Sequence, residues 1–216
     1  MVSAVNRNLP GAGGRGQART RLARRAVIES ARALFVERGY QATTIDAISE
    51  RSDVPAPTIY RLFSSKLGIL KAVLDVSIGG DDRDVAMLDR PEVRALLSSR
   101  DPGEQLAGFA GLVRGVMERA GAVHRILADA ARSDHEAAAL LEDIARQRHA
   151  GQNRIAQALD HKGALRPGLR ERDAADIIHA LASPEVYGLL VVDRGWSGER
   201  YENWLRSILS DQLLGR

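Results

Sequence analysis

Between Val54 and Lys66 the chain reads VPAPTIYRLFSSK, which gathers a hydroxyl (Thr58), a phenol (Tyr60), a guanidinium (Arg61) and an ammonium (Lys66) in one short stretch. Ala56 and Pro57, small and nearly apolar, let a backbone come close to base edges and touch thymine methyl groups. Catalytic chemistry is poorly provided for. The five histidines, His124, His135, His149, His161 and His179, form no HExxH or similar ligand spacing. His135 beside Asp134 or Glu136 is the nearest to a metal grouping, and solvated or helix-capping histidine is the simpler reading. There is no Gly-rich phosphate loop, no nucleophile elbow and no paired-carboxylate motif. No catalytic residue, metal site or cofactor is expected.

What must hold these side chains is a helix that cannot stand alone. Proline is tolerated in a first helical turn, so Pro55 and Pro57 mark a start, with Pro57 predicted at the first helical position. Ser64-Ser65 signals a stop and a fresh N-cap. A helix over Pro57–Phe63 is about two turns long, too short to persist in isolation. Its neighbours are legible. A first helix is predicted from Thr20 to Arg38, with Val27, Ile28, Ala31, Leu34 and Phe35 on one face and Gly39 as its stop. A second opens with Thr43 as cap and Asp46 three residues on, and turns Ile45 and Ile48 inward. Asp53 to Ala56 is a turn. Ser65 caps a fourth helix whose stripe is Leu67, Leu70, Val73, Leu74 and Ile78. Helix two, a tight turn and helix three make a helix-turn-helix, which puts the start of its second helix at base edges. Ile59, Leu62 and Phe63 anchor it, and Ala56, Pro57, Thr58, Tyr60 and Arg61 stay outside.

Composition agrees. The chain has 216 residues, 44% hydrophobic and 27% charged, and no cysteine, so disulfides, thiolate zinc and cysteine nucleophiles are excluded. No apolar run of membrane-spanning length is read, and the N-terminus lacks a secretory apolar region, so a cytoplasmic location is expected. Residues 1–80 carry 12 Lys+Arg against 6 Asp+Glu, the other 136 carry 19 against 22. Cations confined to one end suit a polyanion there.

Past Gly79-Gly80 and the GGDDRD hinge come helical patterns near 85–99, 104–119, 122–131 and 135–160. Then follow a loop, HKGALRPGL, and two more helices near 171–193 and 198–214. Pro184 is expected to kink the first of these. Ser197 caps the second, with Trp196 and Tyr201 as a hydrophobic staple. The fold class is all-α, about nine helices.

The stretch ALFVERGYQATTIDAISERSDVPAPTIYRLFSSKLGILKAVL resembles the DNA-binding domain of the tetracycline-repressor (TetR) family almost residue for residue from Ala33 to Leu74. Looser likeness continues in ALRPGL and SPEVYGLLVVDRGWSGERYENWL. The resemblance implies a three-helix helix-turn-helix domain joined by a fourth helix to a larger helical domain that binds an effector and dimerises. The expected divisions are a flexible basic arm at 1–19, the DNA-binding domain at 20–66, a connecting helix at 67–80 and the effector and dimerisation domain at 81–216. The DNA-binding set it implies is Thr44, Pro55, Ala56, Pro57, Thr58, Tyr60, Arg61 and Lys66. In it Thr44, Tyr60 and Lys66 meet phosphates, Thr58 meets backbone or base, and Ala56, Pro57 and Arg61 discriminate bases. Arg61 as a guanine reader and as a phosphate contact remain equal alternatives. Three positions depart from the commonest pattern: Asp53 stands for a turn glycine, Pro55 for a capping Ser or Thr, and Ala56 is too short to hydrogen-bond a base. Arg15, Arg19 and Arg21 either reach DNA or belong to an unengaged tail.

The resemblance further implies a homodimer on a palindromic operator, whose half-sites lie a helical turn or a multiple apart. Its interface is expected at Ile177, Ile178, Leu181, Leu189, Trp204, Leu205, Ile208 and Leu209. Phe109, Leu112, Val113, Met117, Ile126, Leu127 and Tyr187 are the candidate lining of a pocket for a small apolar effector. The competing reading is a helical small-molecule carrier or enzyme whose helix-turn-helix is not functional.

Overall fold

The computed structural model describes residues 12–215 apart from Asp82 and Asp84. Residues 1–11 of the expected arm and the Arg15 side chain lie outside the described residues. The chain divides into two compact units, Met1–Ala72 and Val73–Arg216. The division falls inside a helix rather than at the GGDDRD hinge.

Unit 1 holds α1 (Ala12–Ala42), α2 (Ile45–Ser52), α3 (Ala56–Phe63) and the first turns of α4 (Lys66–Gly79). The helix begins at Ala12, so residues 12–19, expected as arm, are helical. Its regular part ends where the sequence says, at Gly39 (φ 77°, ψ 172°), a conformation that a side chain disfavours. Val27, Ile28, Ala31, Leu34 and Phe35 are all buried, as are Ile48 on α2 and Ile59 and Phe63 on α3. The three helices pack on one another. At about 1.5–3 kcal/mol for each large apolar side chain removed from water, Ile59 and Phe63 supply the support that so short a helix lacks.

Two details of the helix starts differ from expectation by one residue. Thr44, not Thr43, caps α2: its Oγ1 accepts from the Ala47 N–H at 3.1 Å. Thr43 is buried and donates instead to the Gly39 carbonyl at 2.8 Å, closing the end of α1. Pro57 sits second in α3, after Ala56, and the first ring closes on the Pro55 carbonyl. The reason proline is tolerated is unchanged, since that N–H has no partner in a first turn. Asp53 takes the left-handed geometry (φ 54°, ψ 31°) expected of it. Ser65 Oγ accepts from the Gly68 N–H at 3.0 Å and caps α4. Any side chain at Gly68 would run into the Phe63 carbonyl oxygen, so a glycine is needed there.

Unit 2 continues with a single 3₁₀ turn (Met87–Asp89), α5 (Pro91–Ser98), α6 (Pro102–Ala130), α7 (His135–His161), α8 (Glu171–Leu181), α9 (Pro184–Tyr187) and α10 (Gly198–Leu213). Among the described residues nine helices have eight residues or more, α9 is one turn, and no strand forms. The predicted break at Gly121 is absent. Gly121 is buried against the Tyr187 ring, and α6 runs through it. Pro184 does more than kink: Ser183 caps a new helix there, its Oγ accepting from the Val186 N–H. That helix widens into a π-helical stretch, Gly188–Asp193. Residues 171–193 are apolar enough, by length and composition, to cross a membrane. They are folded here as two helices broken at Ser183, with Ala174, Ile178, Ala182 and Tyr187 in the core. Trp196, expected to staple onto Tyr201, meets Trp204 edge-on, Tyr201 meets the same Trp204 ring, and Arg200 lies 4.1 Å over the Trp196 ring.

Candidate functional site

On α3 the split between anchor and surface is clean. Ile59 and Phe63 are buried and Leu62 half-buried, while Pro55, Pro57, Tyr60 and Arg61 are exposed. Tyr60 keeps 53% of its surface open to solvent. Ala56 and Thr58 are half-buried beside them, and Thr44 is exposed at the start of α2. Two helix N-termini, at Thr44 and Pro55, are therefore brought to the surface together with a phenol and a guanidinium. This arrangement can bond phosphates from helix ends and Tyr60, and base edges from Arg61. The exposed Glu37 carboxylate is taken by Arg51 through two 2.8 Å bonds, which ties α1 to α2.

Lys66 is not part of that surface. Its Nζ donates to the Tyr40 carbonyl at 2.9 Å and the Thr43 carbonyl at 3.0 Å, and lies 4.3 Å over the Tyr40 ring. The residue expected to meet a phosphate is held here in an internal clamp. An ammonium donates only three hydrogens, and the Tyr40 and Thr43 carbonyls, with the Gln41 carbonyl at 3.5 Å, take them. The clamp instead sets where Thr44 stands.

Residues 27–73 match the family described as bacterial regulatory proteins, tetR family. The chain carries a TetR-family DNA-binding domain. Among curated relatives, the transcriptional repressor KstR of Mycolicibacterium smegmatis is 29% identical over 96 residues, 44% of this chain and 44% of that repressor. The match thus spans less than half the length of that relative. The TetR fold extends over both units. NalD, the secondary repressor of the MexAB-OprM multidrug efflux pump in Pseudomonas aeruginosa, superposes with a TM-score of 0.67 at 18% identity, covering 91% of this chain and 98% of that one. FadR of Bacillus subtilis, solved with stearoyl-CoA, also has a TM-score of 0.67 at 18% identity, covering 85% and 96%. The curated relatives and these neighbours carry the names of transcriptional regulators, and the TetR-type domain of this chain is a DNA-binding one.

A measurable consequence follows for the TetR-type reading face. Arg61→Ala should weaken DNA binding, reducing the slope of log affinity against log salt by about 1 for a phosphate contact and relaxing preference at one base position for a guanine contact, whereas Tyr60→Phe should weaken it with the slope unchanged, because a phenol releases no counterion. Fluorescence anisotropy across a salt series reads both.

Unit 2 places the expected pocket residues unevenly. Phe109, Val113, Met117 and Tyr187 are buried in one cluster with Tyr201, Leu205 and Leu209. Leu127 is buried on α6 outside that cluster, and Ile126 is half-buried. Leu112 lines a different feature, an open apolar cleft of about 410 Å³ with Val93, Leu96 and Gly108 between α5 and α6. The expected interface also divides. Leu189 is exposed, and Ile177, Leu181, Trp204 and Ile208 are half-buried, but Ile178, Leu205 and Leu209 are fully buried within this chain. Those three are core. The helical stripes on which they were read serve the inside of the subunit first, and only their flanks remain for a partner.

Sequence reasoning missed two groups. Arg119 on α6 donates from Nε to the Ser77 carbonyl (3.1 Å) and from its NH2 group to the Ile78 carbonyl (3.2 Å), closing the last turn of α4. Beside it Arg90, almost fully buried, holds Asp81 through two bonds of 3.1 and 2.8 Å and depresses its carboxyl pKa to about 2. The second group is polar and internal. Arg148 on α7 donates to His179 Nε2 (3.2 Å) and to the His179 carbonyl (3.3 Å), and His179 Nδ1 meets Gln152 Oε1 at 2.8 Å. Arginine can only donate, so Nε2 accepts and the imidazole hydrogen sits on Nδ1, pointing at Gln152. The signal was weak: Arg148 and Gln152 are four apart and share a helix face, as many solvated pairs do.

Burial, and then the Arg148 charge, push the His179 pKa below its usual value; burial does the same at His124. Arg148, His149, Glu185 and Asp176 also act on His179, the carboxylates opposing the shift. In the window between the depressed folded pKa and the unfolded value near 6.5, the unfolded chain binds protons the folded one refuses. Stability should therefore fall as pH drops below about 6.5, and thermal melts of His179→Gln should show a shallower acid loss.

Proposed function

We propose that the chain is a ligand-responsive transcriptional repressor, binding a palindromic operator as a homodimer and released from it by a small, largely apolar effector. The observation that carries the reading is α3: its apolar residues are spent on anchoring, and Pro57, Tyr60 and Arg61 stay exposed on a helix already formed. A reading head held in shape before it meets DNA loses little entropy on binding. The names of KstR and NalD, both repressors, support the sign of regulation. Leu189 and Val192, large apolar side chains left exposed on the π-helical stretch, support association of two copies. Half-buried Ile177, Leu181, Trp204 and Ile208 flank them in the proposed interface. The effector reading draws on the apolar cluster of α6 and its neighbours, and α4 is the single helix shared by both units through which a change in unit 2 could reach unit 1. Work on DNA places the protein in the cytoplasm.

Selection of bound fragments from a random duplex library by the purified chain at low salt tests the proposal. An enriched inverted repeat is expected. Failure to retain any duplex, including the DNA upstream of its own gene, would overturn it in favour of a carrier.

A further inference from the structure

Resting on the effector reading above, we propose that the effector carries a carboxylate, gripped by the Arg148 guanidinium and the Tyr201 hydroxyl, with His179 holding the guanidinium in place. Arg148 is a half-buried cation with no ion pair among the described residues. Its partners are uncharged: the His179 carbonyl, the more distant Ala182 carbonyl at 3.5 Å, and the His179 ring. These take three of its five N–H groups and leave the Nε–H and one terminal N–H, the geometry that a carboxylate meets. Burial lowers the Arg148 pKa, so the cation is poorly solvated where it stands. Glu185 on α9 is the charged residue that favours the cation, and it forms no ion pair with it among the described residues.

Capping of the α8 carbonyls would account for one side of Arg148 alone. It would not account for Tyr201. This α10 residue has no solvent exposure, and its hydroxyl has no hydrogen-bond partner among the described residues. A buried hydroxyl without a partner is a standing cost to the fold, kept where a ligand repays it. The Arg148 charge is felt at Tyr201, and the Tyr201 ring meets the Tyr187 ring edge-on at 4.9 Å. Through Tyr187 the polar group adjoins the cluster that includes Phe109, Val113 and Met117, which would take an apolar body. Gly188, next to Tyr187, is half-buried. The π-helical widening starts at that same Gly188, a backbone feature frequent at ligand sites.

The test uses the full chain with decanoate and 2-naphthoate, each against its neutral primary amide. Calorimetry and thermal melts should show the carboxylates binding and raising the melting temperature, and the amides doing neither. Tyr201→Phe should melt at or above the parent temperature, since it removes only an unpartnered hydroxyl, yet weaken carboxylate binding by about tenfold or more. Arg148→Gln should abolish binding. Because that change could also loosen α8, the phenylalanine variant is the deciding one. Amides binding as well as carboxylates, no binding by either carboxylate, or unchanged carboxylate affinity in Tyr201→Phe would overturn the proposal. DNA binding is read separately by anisotropy. Operator binding in a chain indifferent to carboxylates sinks this inference and leaves the regulator, whereas carboxylate binding in a chain that ignores DNA does the reverse.

Discussion

Leu205→Asp and Leu209→Asp should unfold unit 2, whereas Leu189→Asp and Val192→Asp should leave a folded chain and abolish the proposed dimer. All four positions lie on the two helical segments at the end of the chain, and all are apolar. Their burial separates them: Leu205 and Leu209 have no exposed surface in the single subunit, while Leu189 and Val192 keep 53% and 52%. A carboxylate forced into the first pair of sites enters an apolar cluster, and an uncompensated buried charge costs at least about 3–5 kcal/mol. Domains are stable by only about 5–15 kcal/mol, so most or all of the margin goes. At the exposed pair a change of charge alters the subunit by within about 0.5 kcal/mol but places four carboxylates' worth of repulsion, counted over both copies of the double variant, across an apolar contact. Circular dichroism melting and light scattering distinguish the outcomes. A cooperative native melt in Leu205→Asp would mean that this helix is not core; an unchanged dimer in the Leu189→Asp, Val192→Asp double variant would remove the π-helical stretch from the interface.

Lys66→Met should cost about 1–3 kcal/mol of stability in unit 1 and weaken DNA binding strongly, while leaving the salt dependence near that of the parent. Methionine keeps the length and the apolar stem but donates no hydrogen, so the Tyr40 and Thr43 carbonyls lose the donor that joins them. The neighbouring residue, Thr44, carries the α2 cap, and a shift there moves one of the two helix ends proposed to meet a phosphate. An ammonium that contacted phosphate directly would behave differently. Its loss would reduce the salt slope by about 1, and the fold would hardly notice. Salt-series anisotropy combined with a urea melt decides: a flattened slope with unchanged stability would restore the phosphate role and refute the clamp. Lys66→Arg is a useful second variant, since a planar fork cannot reproduce three converging bonds from one nitrogen.

Much of unit 1 was legible because its determinants are local. Gly39 ends α1, Asp53 adopts left-handed geometry, Ser65 caps α4 and two prolines open α3; each acts on backbone within a few residues of itself. Period alone told Ile59 and Phe63 from Tyr60 and Arg61, because a helix of eight residues has one face to bury. The cap on α2 slipped from Thr43 to Thr44 for a non-local reason. Two adjacent threonines offer the same side chain, and only the Gly39 carbonyl decides which is drawn inward.

What the sequence by itself determined, then, is the all-helical class, the helix-turn-helix, and the outward set on α3. Only the tertiary structure decided that Lys66 binds its own backbone, that Ile178, Leu205 and Leu209 are core, and that Arg148 on α7 meets His179 on α8. The physical reason is the same in each case. Helical periodicity states that a face is apolar or that a charge exists, but the partner that covers the face or answers the charge lies tens of residues away, and its identity is fixed by packing.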